Sequence, residues 1–296
     1  MEGIPPEVAG YGAANPASET GKHGILVLKL AGDKTTGRTV VKEQYSQVPL
    51  YAQKPMYLEE SLPSMAYMYV ISPSGGVLQG DTYRIDVSLE SGAQAHLTTQ
   101  GATRVYKMEE GFATQEINIT ADRGCYLEYM PDQIIPYAGS RFYQKTSIRA
   151  HEEATVVYSE IITPGRVASG ERFGYDVCYL RIQGSDLQGG LKFADSSVLE
   201  PKKHDVMAPG ALEQDVVASV YVMAPSRLVP ELGRLANAAL ADMKIRAGAS
   251  VMPHSCGIAA RMLGDRAEIL QQGAARIAEI TRKLVLGAPY TKMRKG

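Results

Sequence analysis

The stretch GGVLQGDTYRIDVSL, Gly75 to Leu89, decides how the chain is read. Its first half matches the phosphate-loop pattern G-x-x-x-x-G-K-[ST] at every fixed position except the lysine, where Asp81 stands. A phosphate loop surrounds its ligand with backbone N–H groups and a lysine ammonium, and a carboxylate in that place repels it. Such a loop also needs a helix after it. Here Tyr83, Ile85, Val87 and Leu89 alternate with Thr82, Arg84, Asp86 and Ser88, the period of a half-buried strand. The stretch therefore reads as the glycine turn of a hairpin with an acid at its tip, not as a nucleotide site.

On both sides the same texture continues. ILVLKLAG, TVVKEQYSQV, AYMYVIS, AQAHLTTQ, TQEINITA, CYLEYMP, RFYQKTSIRA, ATVVYSEII, DVCYLRIQ and GGLKFADSSVLE are short β-rich runs punctuated by Gly, Pro, Asp or Ser. With no helical segment between them, they predict an all-β body of stacked antiparallel sheets over residues 23–224, without an evident internal repeat. After Ala224 the period changes. Leu228, Leu232, Leu235, Ala239 and Met243 step by three or four, with Ser226 as a cap and Gly248 as a stop. A second helix is expected from about Asp265 to Leu286, with Leu270, Ala274, Ile277, Thr281 and Leu284 on one stripe, and ASVMP and GIAARML form a hairpin between the two. Residues 225–288 thus make a small α+β unit with two helices, docked on the body. Residues 1–22, rich in Pro, Gly and Ala, read as a mobile, disordered extension, and 289–296 as an exposed tail.

Composition narrows the function. The chain has 296 residues, 31 Lys+Arg against 32 Asp+Glu, and a net charge of −1, so it carries no electrostatic footprint for nucleic acid or an anionic membrane. No apolar run approaches the ~20 residues of a membrane span, and the first residues hold no apolar signal core, which predicts a cytoplasmic protein. Cys125, Cys178 and Cys256, odd in number and far apart, fit reduced thiols.

His23, His96, His151, His204 and His254 are scattered, with no H-x-H, H-E-x-x-H or C-x-x-C, so no preassembled metal centre is legible. His96 reads as ordinary packing or surface, and Cys178 as an inert buried thiol. No G-x-S-x-G or other activated nucleophile is present. Carboxylates are more informative, because Asp81, Glu128, Glu160 and Asp195 interrupt apolar strands. Glu160 stands out. Val156, Val157, Tyr158, Ile161 and Ile162 surround it, and a carboxylate in such a place needs a partner or a ligand.

SPSGGVLQGDTYRIDVSLESGAQAHLTTQGATRVYK, then YLEYMPDQIIPYAGSRFYQKTSIRA, then VVYSEIITPGR and GERF, and finally RAGASVMP with GIAARMLGDRAE, resemble the UreD/UreH family of urease accessory proteins in order and spacing. The resemblance covers about Gly24 to Leu286. It implies a β-helix-like stack of sheets with a small helical end, and a scaffold rather than an enzyme. It further implies binding to the helical protein UreF, recruitment of the nickel-carrying GTPase UreG in a UreD2F2G2-type assembly, docking on the urease apoprotein, and transit of nickel(II) through an internal tunnel, with no permanently bound cofactor. Asp81, Thr103 and Glu160 fall on family positions associated with that tunnel, and Asp195 aligns more loosely. A hard or borderline divalent cation moves along carboxylate oxygens that hold it weakly and in series. Residues 1–22 extend beyond most relatives, and tyrosines replace the tryptophans common near the Met130-Pro131-Asp132 turn. The alternative is a carbohydrate- or small-molecule-acting β-helix enzyme with paired acids such as Asp81 and Glu160, which requires them to face each other across an open cleft.

Overall fold

The computed structural model of the chain describes residues 3–12, 21–209, 211–291 and 293. A four-residue helix α1 (Pro6–Ala9) precedes β1 (His23–Gly32), β2 (Thr39–Gln47), β3 (Tyr51–Ala52), β4 (Ala66–Ile71), β5 (Thr82–Leu89) and β6 (Gln94–Thr99). There follow β7 (Thr103–Val105), β8 (Ala113–Ala121), β9 (Tyr126–Tyr129), β10 (Ile134–Pro136), β11 (Arg141–Ala150), β12 (Thr155–Ile162), β13 (Val177–Ser185) and β14 (Leu191–Leu199). The chain closes with β15 (Val216–Met223), α2 (Val229–Ala241), β16 (Arg246–Val251), β17 (Gly257–Gly264) and α3 (Ala267–Leu286).

Two sheets stack face to face. One runs β14-β13-β11-β8-β5-β1-β2; the other runs β16-β17-β15-β12-β9-β6-β4-β3, with β10 and β7 attached beside β12. The mainly β, β-helix-like class is as expected, but the direction of the inner strands is not. β1, β5, β8, β11 and β13 are parallel neighbours in the first sheet, and β4, β6, β9 and β12 in the second. Antiparallel pairing is kept to the flanks, at β2, β3, β14, β15, β16 and β17. The cause is connectivity: successive strands of the central coils alternate between sheets, so each re-enters its sheet in the same direction one coil later. For the same reason Gly75–Thr82 is not a hairpin turn. β4 and β5 lie in opposite sheets, and the loop between them crosses from one to the other.

One turn builds the coil edge again and again. Glu90-Ser91-Gly92-Ala93, Asp122-Arg123-Gly124-Cys125 and His151-Glu152-Glu153-Ala154 each join a first-sheet strand to a second-sheet strand. In each, the N–H of the fourth residue donates to the carbonyl of the first, at 3.0, 3.2 and 2.9 Å. These turns recur about every thirty residues, a solenoid period. Between the sheets, inward residues stack in register from coil to coil, as with Leu28, Val87, Ile119 and Ile148. Each such side chain contributes roughly 1.5–3 kcal/mol on burial.

The hairpin expected near the C-terminus forms as β16 and β17 and extends the second sheet. On the outer face of that sheet, α2 and α3 bury Leu232, Ala236, Leu240, Leu270, Ala274 and Ile277. The helix signals differ in detail. Ser226 opens a short 3-10 turn without a side-chain cap, Pro230 stands in the first turn of α2, and Gly248 belongs to β16.

The two ends are packed where they are described. Val8 of α1 is fully buried against Phe112, Tyr143 and Val177, and the cations of Arg141 and Lys203 lie 4.7 and 5.8 Å from the centre of the Tyr11 ring. The mobile extension expected over residues 1–22 therefore does not describe 3–12, because one valine and one tyrosine suffice to anchor it; residues 13–20 lie outside the described residues. Met293 is likewise buried, with Leu62, Met65 and Tyr67, where an exposed tail over 289–296 was expected. Among the described residues no helix is long and apolar enough to cross a membrane.

Candidate functional site

Strand parity places polar side chains inside the body. In β8 the inward residues are Gln115, Ile117 and Ile119, and in β11 they are Gln144, Thr146 and Ile148, so the end of the sandwich near β7 and β10 has an amide-lined interior. Tyr83, Gln115 and Gln144 stand in register on β5, β8 and β11. Gln115 Nε2 donates to Gln144 Oε1 at 2.9 Å, Gln144 Nε2 donates to the Tyr158 hydroxyl at 2.9 Å, and Thr146 Oγ1 donates to it at 3.0 Å. The Tyr158 hydroxyl lies 3.5 Å from Glu160 Oε2. On the second sheet Tyr129, Tyr158 and Tyr221 are themselves in register, with stacked rings 6.1 and 6.5 Å apart, and Phe193 of the first sheet closes the column 5.8 Å from Tyr221.

Beside this column runs a second row, Glu160, Ser219 and Arg261 on β12, β15 and β17. The Arg261 guanidinium donates to Ser197 Oγ at 3.0 Å, to Ser219 Oγ, and to the carboxylate of Asp195 on β14, which also accepts the Tyr221 hydroxyl at 3.0 Å. Glu160 is buried, and burial pushes its carboxyl up to about 7; the Arg261 charge opposes that rise and Asp195 adds to it. Near neutral pH it is thus poised between acid and carboxylate. Asp195 and Arg261 are more than a third exposed, so this polar tract reaches the surface at their end.

At its other end the tract opens into a cavity of ≈ 360 Å³, bounded by the loops carrying Ser72–Val77 and Thr99–Arg104. Thr103, Gln115, Gln144, Tyr158 and Glu160 line it. Of the residues singled out in the sequence, Thr103 and Glu160 share this cavity, and Asp195 meets Glu160 through Arg261. Asp81 stands apart. It is fully buried and its oxygens are taken: Oδ1 accepts Lys22 N–H at 2.8 Å, and Oδ2 accepts Leu78 N–H at 2.8 Å, the Tyr83 hydroxyl at 3.0 Å and Lys22 Nζ at 3.2 Å. It ties three segments together and touches the cavity only through Tyr83. The open cleft with Asp81 facing Glu160, which the enzyme reading needs, is not formed. Gln115, Gln144, Tyr158 and Arg261 went unread, although the parity of TQEINITA and YQKTSIRA already sets the two glutamines on the isoleucine face.

A second buried polar cluster lies on the outer face of the second sheet. Arg282 of α3 donates through Nε to Glu128 Oε1 at 2.9 Å, through Nη2 to Glu128 Oε2 at 2.6 Å, and through Nη1 to Glu59 Oε2 at 3.2 Å. His96 Nδ1 stands 2.6 Å from the same Glu128 Oε2. Burial alone raises the Glu128 carboxyl, but the bonds from His96 and Arg282 outweigh it and hold the group below the usual range. His96 is thus a buried partner of a carboxylate rather than plain packing.

Set beside known proteins, residues 22–296 match the family model described as UreD urease accessory protein. The urease accessory protein UreD of Cenarchaeum symbiosum (strain A) is 40% identical over 278 residues, covering 93% of this chain and 97% of that protein. UreD 2 of Streptomyces griseus is 35% identical over 274 residues, and UreD of Photorhabdus laumondii is 35% identical over 289 residues, covering 95% of this chain and 89% of that protein.

Proposed function

Because the chain belongs to the UreD urease accessory protein family, we propose that it is a non-enzymatic scaffold of urease maturation that conducts nickel(II) between its two sheets. Its partners in this reading are UreF and UreG, in a UreD2F2G2-type assembly on the urease apoprotein in the cytoplasm. The observation that carries it is the polar tract itself: Gln115, Gln144, Tyr158 and Glu160 line a cavity inside an otherwise apolar sandwich, and the Glu160 row continues to Asp195 at the surface. A body built only for support gains nothing from burying these groups, since each costs about 1–3 kcal/mol when imperfectly paired. A cation in transit uses them. Amide, hydroxyl and carboxylate oxygens replace part of its hydration shell without closing a site around it, and among the described residues no three His, Cys, Asp or Glu side chains form a closed metal centre. Asp81 acts in this reading by fixing the wall that carries Tyr83.

The test is urease activation with assembly measured on the same preparations. Glu160→Gln keeps the shape and removes the charge; Glu160→Lys adds a repulsion of a few kcal/mol at close range. Both should lower the nickel content and activity of the matured urease, the lysine more, while UreF, UreG and urease still co-purify. Unchanged activation by Glu160→Lys sinks the passage.

A further inference from the structure

The polar tract narrows to one side chain before it reaches the surface. Arg261 of β17 bridges the space between the sheets there: its guanidinium donates to Asp195 and, at 3.0 Å, to Ser197 of the first sheet, and to Ser219 of the second. Asp195 is fixed in turn, with Oδ1 accepting the Ser196 N–H at 2.7 Å and Oδ2 the Tyr221 hydroxyl at 3.0 Å. Glu160, Ser219 and Arg261 run in register, so a guanidinium folded back over Ser219 stands between the inner acid and the outer one. It pairs with the outer acid only. Among the described residues the Glu160 carboxylate has the Tyr158 hydroxyl, at 3.5 Å, as its hydrogen-bond partner. Ser219 is 2% exposed, whereas the Arg261 side chain is 39% exposed, so the guanidinium borders the closed tract on one side and solvent on the other. A passage for cations with a fixed cation across its mouth is shut. Arginine does not lose its proton in a protein, so the block is lifted by moving the charge and in no other way.

We propose that Arg261 is the gate at the surface end of the passage, shut while it spans Asp195, Ser197 and Ser219 and open when it turns out into solvent. Turning outward exchanges bonds to two neutral hydroxyls and one part-exposed carboxylate for bonds to water. It also frees an Asp195 oxygen for the ion whose place the guanidinium was holding. A divalent ion at Glu160 repels the guanidinium and brings twice its charge to Asp195, so the cargo itself favours opening. What passes the gate rests on the conduction reading above; the closed state does not.

The experiment places a thiol just inside the gate, Ser219→Cys, in the full chain carrying Cys256→Ser, because Cys256 is half-buried while Cys125 and Cys178 are buried. Its rates of modification by a cationic and by a neutral methanethiosulfonate of similar size are compared with Arg261 in place, with Arg261→Gln and with Arg261→Lys. The ratio of the two rates cancels any change in the reactivity of the thiol. Arg261→Gln should raise the cationic-to-neutral ratio at least ~10-fold, the effect of one unit charge a few ångströms away near a protein surface, and Arg261→Lys should leave it near the wild-type value. Thr103→Cys, across the cavity, should show no such rise. Nickel loading of the urease apoprotein in the assembly with UreF and UreG should be faster with Arg261→Gln, whereas plain damage to the sheets would slow it. An unchanged ratio at Ser219→Cys, an equal rise at Thr103→Cys, or loading no faster in Arg261→Gln while Glu160→Lys still blocks it overturns the gate. Normal loading by Glu160→Lys would instead remove the passage, with the reagent ratios still deciding whether Arg261 bars cations at that end.

Discussion

Glu160 is costly where it stands, and its pH dependence states the cost. Its carboxyl titrates near 7 in the fold against 4.5 ordinarily, with burial as the main cause. Between those values the folded protein holds a proton that the unfolded chain has released, so stability falls as pH rises from about 4.5 to about 7 and stays lower above. Glu160→Gln removes this term. The variant should melt with wild type near pH 4.5 and exceed it by up to ~3 kcal/mol above pH 7, read from thermal melts across the series. A wild type that gains on the variant as pH rises would mean that Arg261 pairs with Glu160 strongly enough to reverse the shift. Together with lost urease activation, added stability would mark Glu160 as a residue kept for function. The sequence made Glu160 legible because five apolar neighbours surround it. It misplaced Asp81, whose partners Lys22 and Leu78 are set by a crossing loop that no local pattern announces.

Among the elements, α3 is the one most dependent on a single side chain. Arg282 is fully buried and is the guanidinium that both Glu59 and Glu128 meet. Arg282→Met should cost about 3–5 kcal/mol, because it strands two buried carboxylates. Adding Glu128→Gln to it should restore part of the loss, which denaturant midpoints of the single and double variants would resolve. Equal stability of wild type and Arg282→Met would show that the carboxylates are solvated. The stripe of α3 was readable from Leu270, Ala274, Ile277 and Thr281. Arg282 lies one step off that stripe, and only its bonds to Glu128 of β9 show that it turns inward. Strand direction was unreadable for a related reason: alternation of inward and outward residues is the same in parallel and antiparallel ladders, and the turns that reveal the coils share little beyond a small residue at the end.

At the scale of the molecule, the segment that precedes residue 22 falls outside the matched family model, yet α1 fills a hollow on the first sheet with Val8. Deleting residues 1–20 should lower stability by ~2 kcal/mol, the burial of one such side chain, and uncover Phe112, Tyr143 and Val177 to a hydrophobic dye. An unchanged melt with no added dye binding would show that the hollow closes by itself. The stacked coils are assembled from neighbours close in the chain, whereas Glu59 and Glu128 wait for Arg282, more than one hundred and fifty residues beyond Glu128. The ribosome therefore delivers the counter-charge long after it has made both acids. A nascent chain can form its coils while it is still being extended, but it cannot bury those two carboxylates at low cost until Arg282 has been made. A premature stop anywhere before Arg282 would leave a product whose second sheet stays open to water, and to the proteases that patrol unfinished chains.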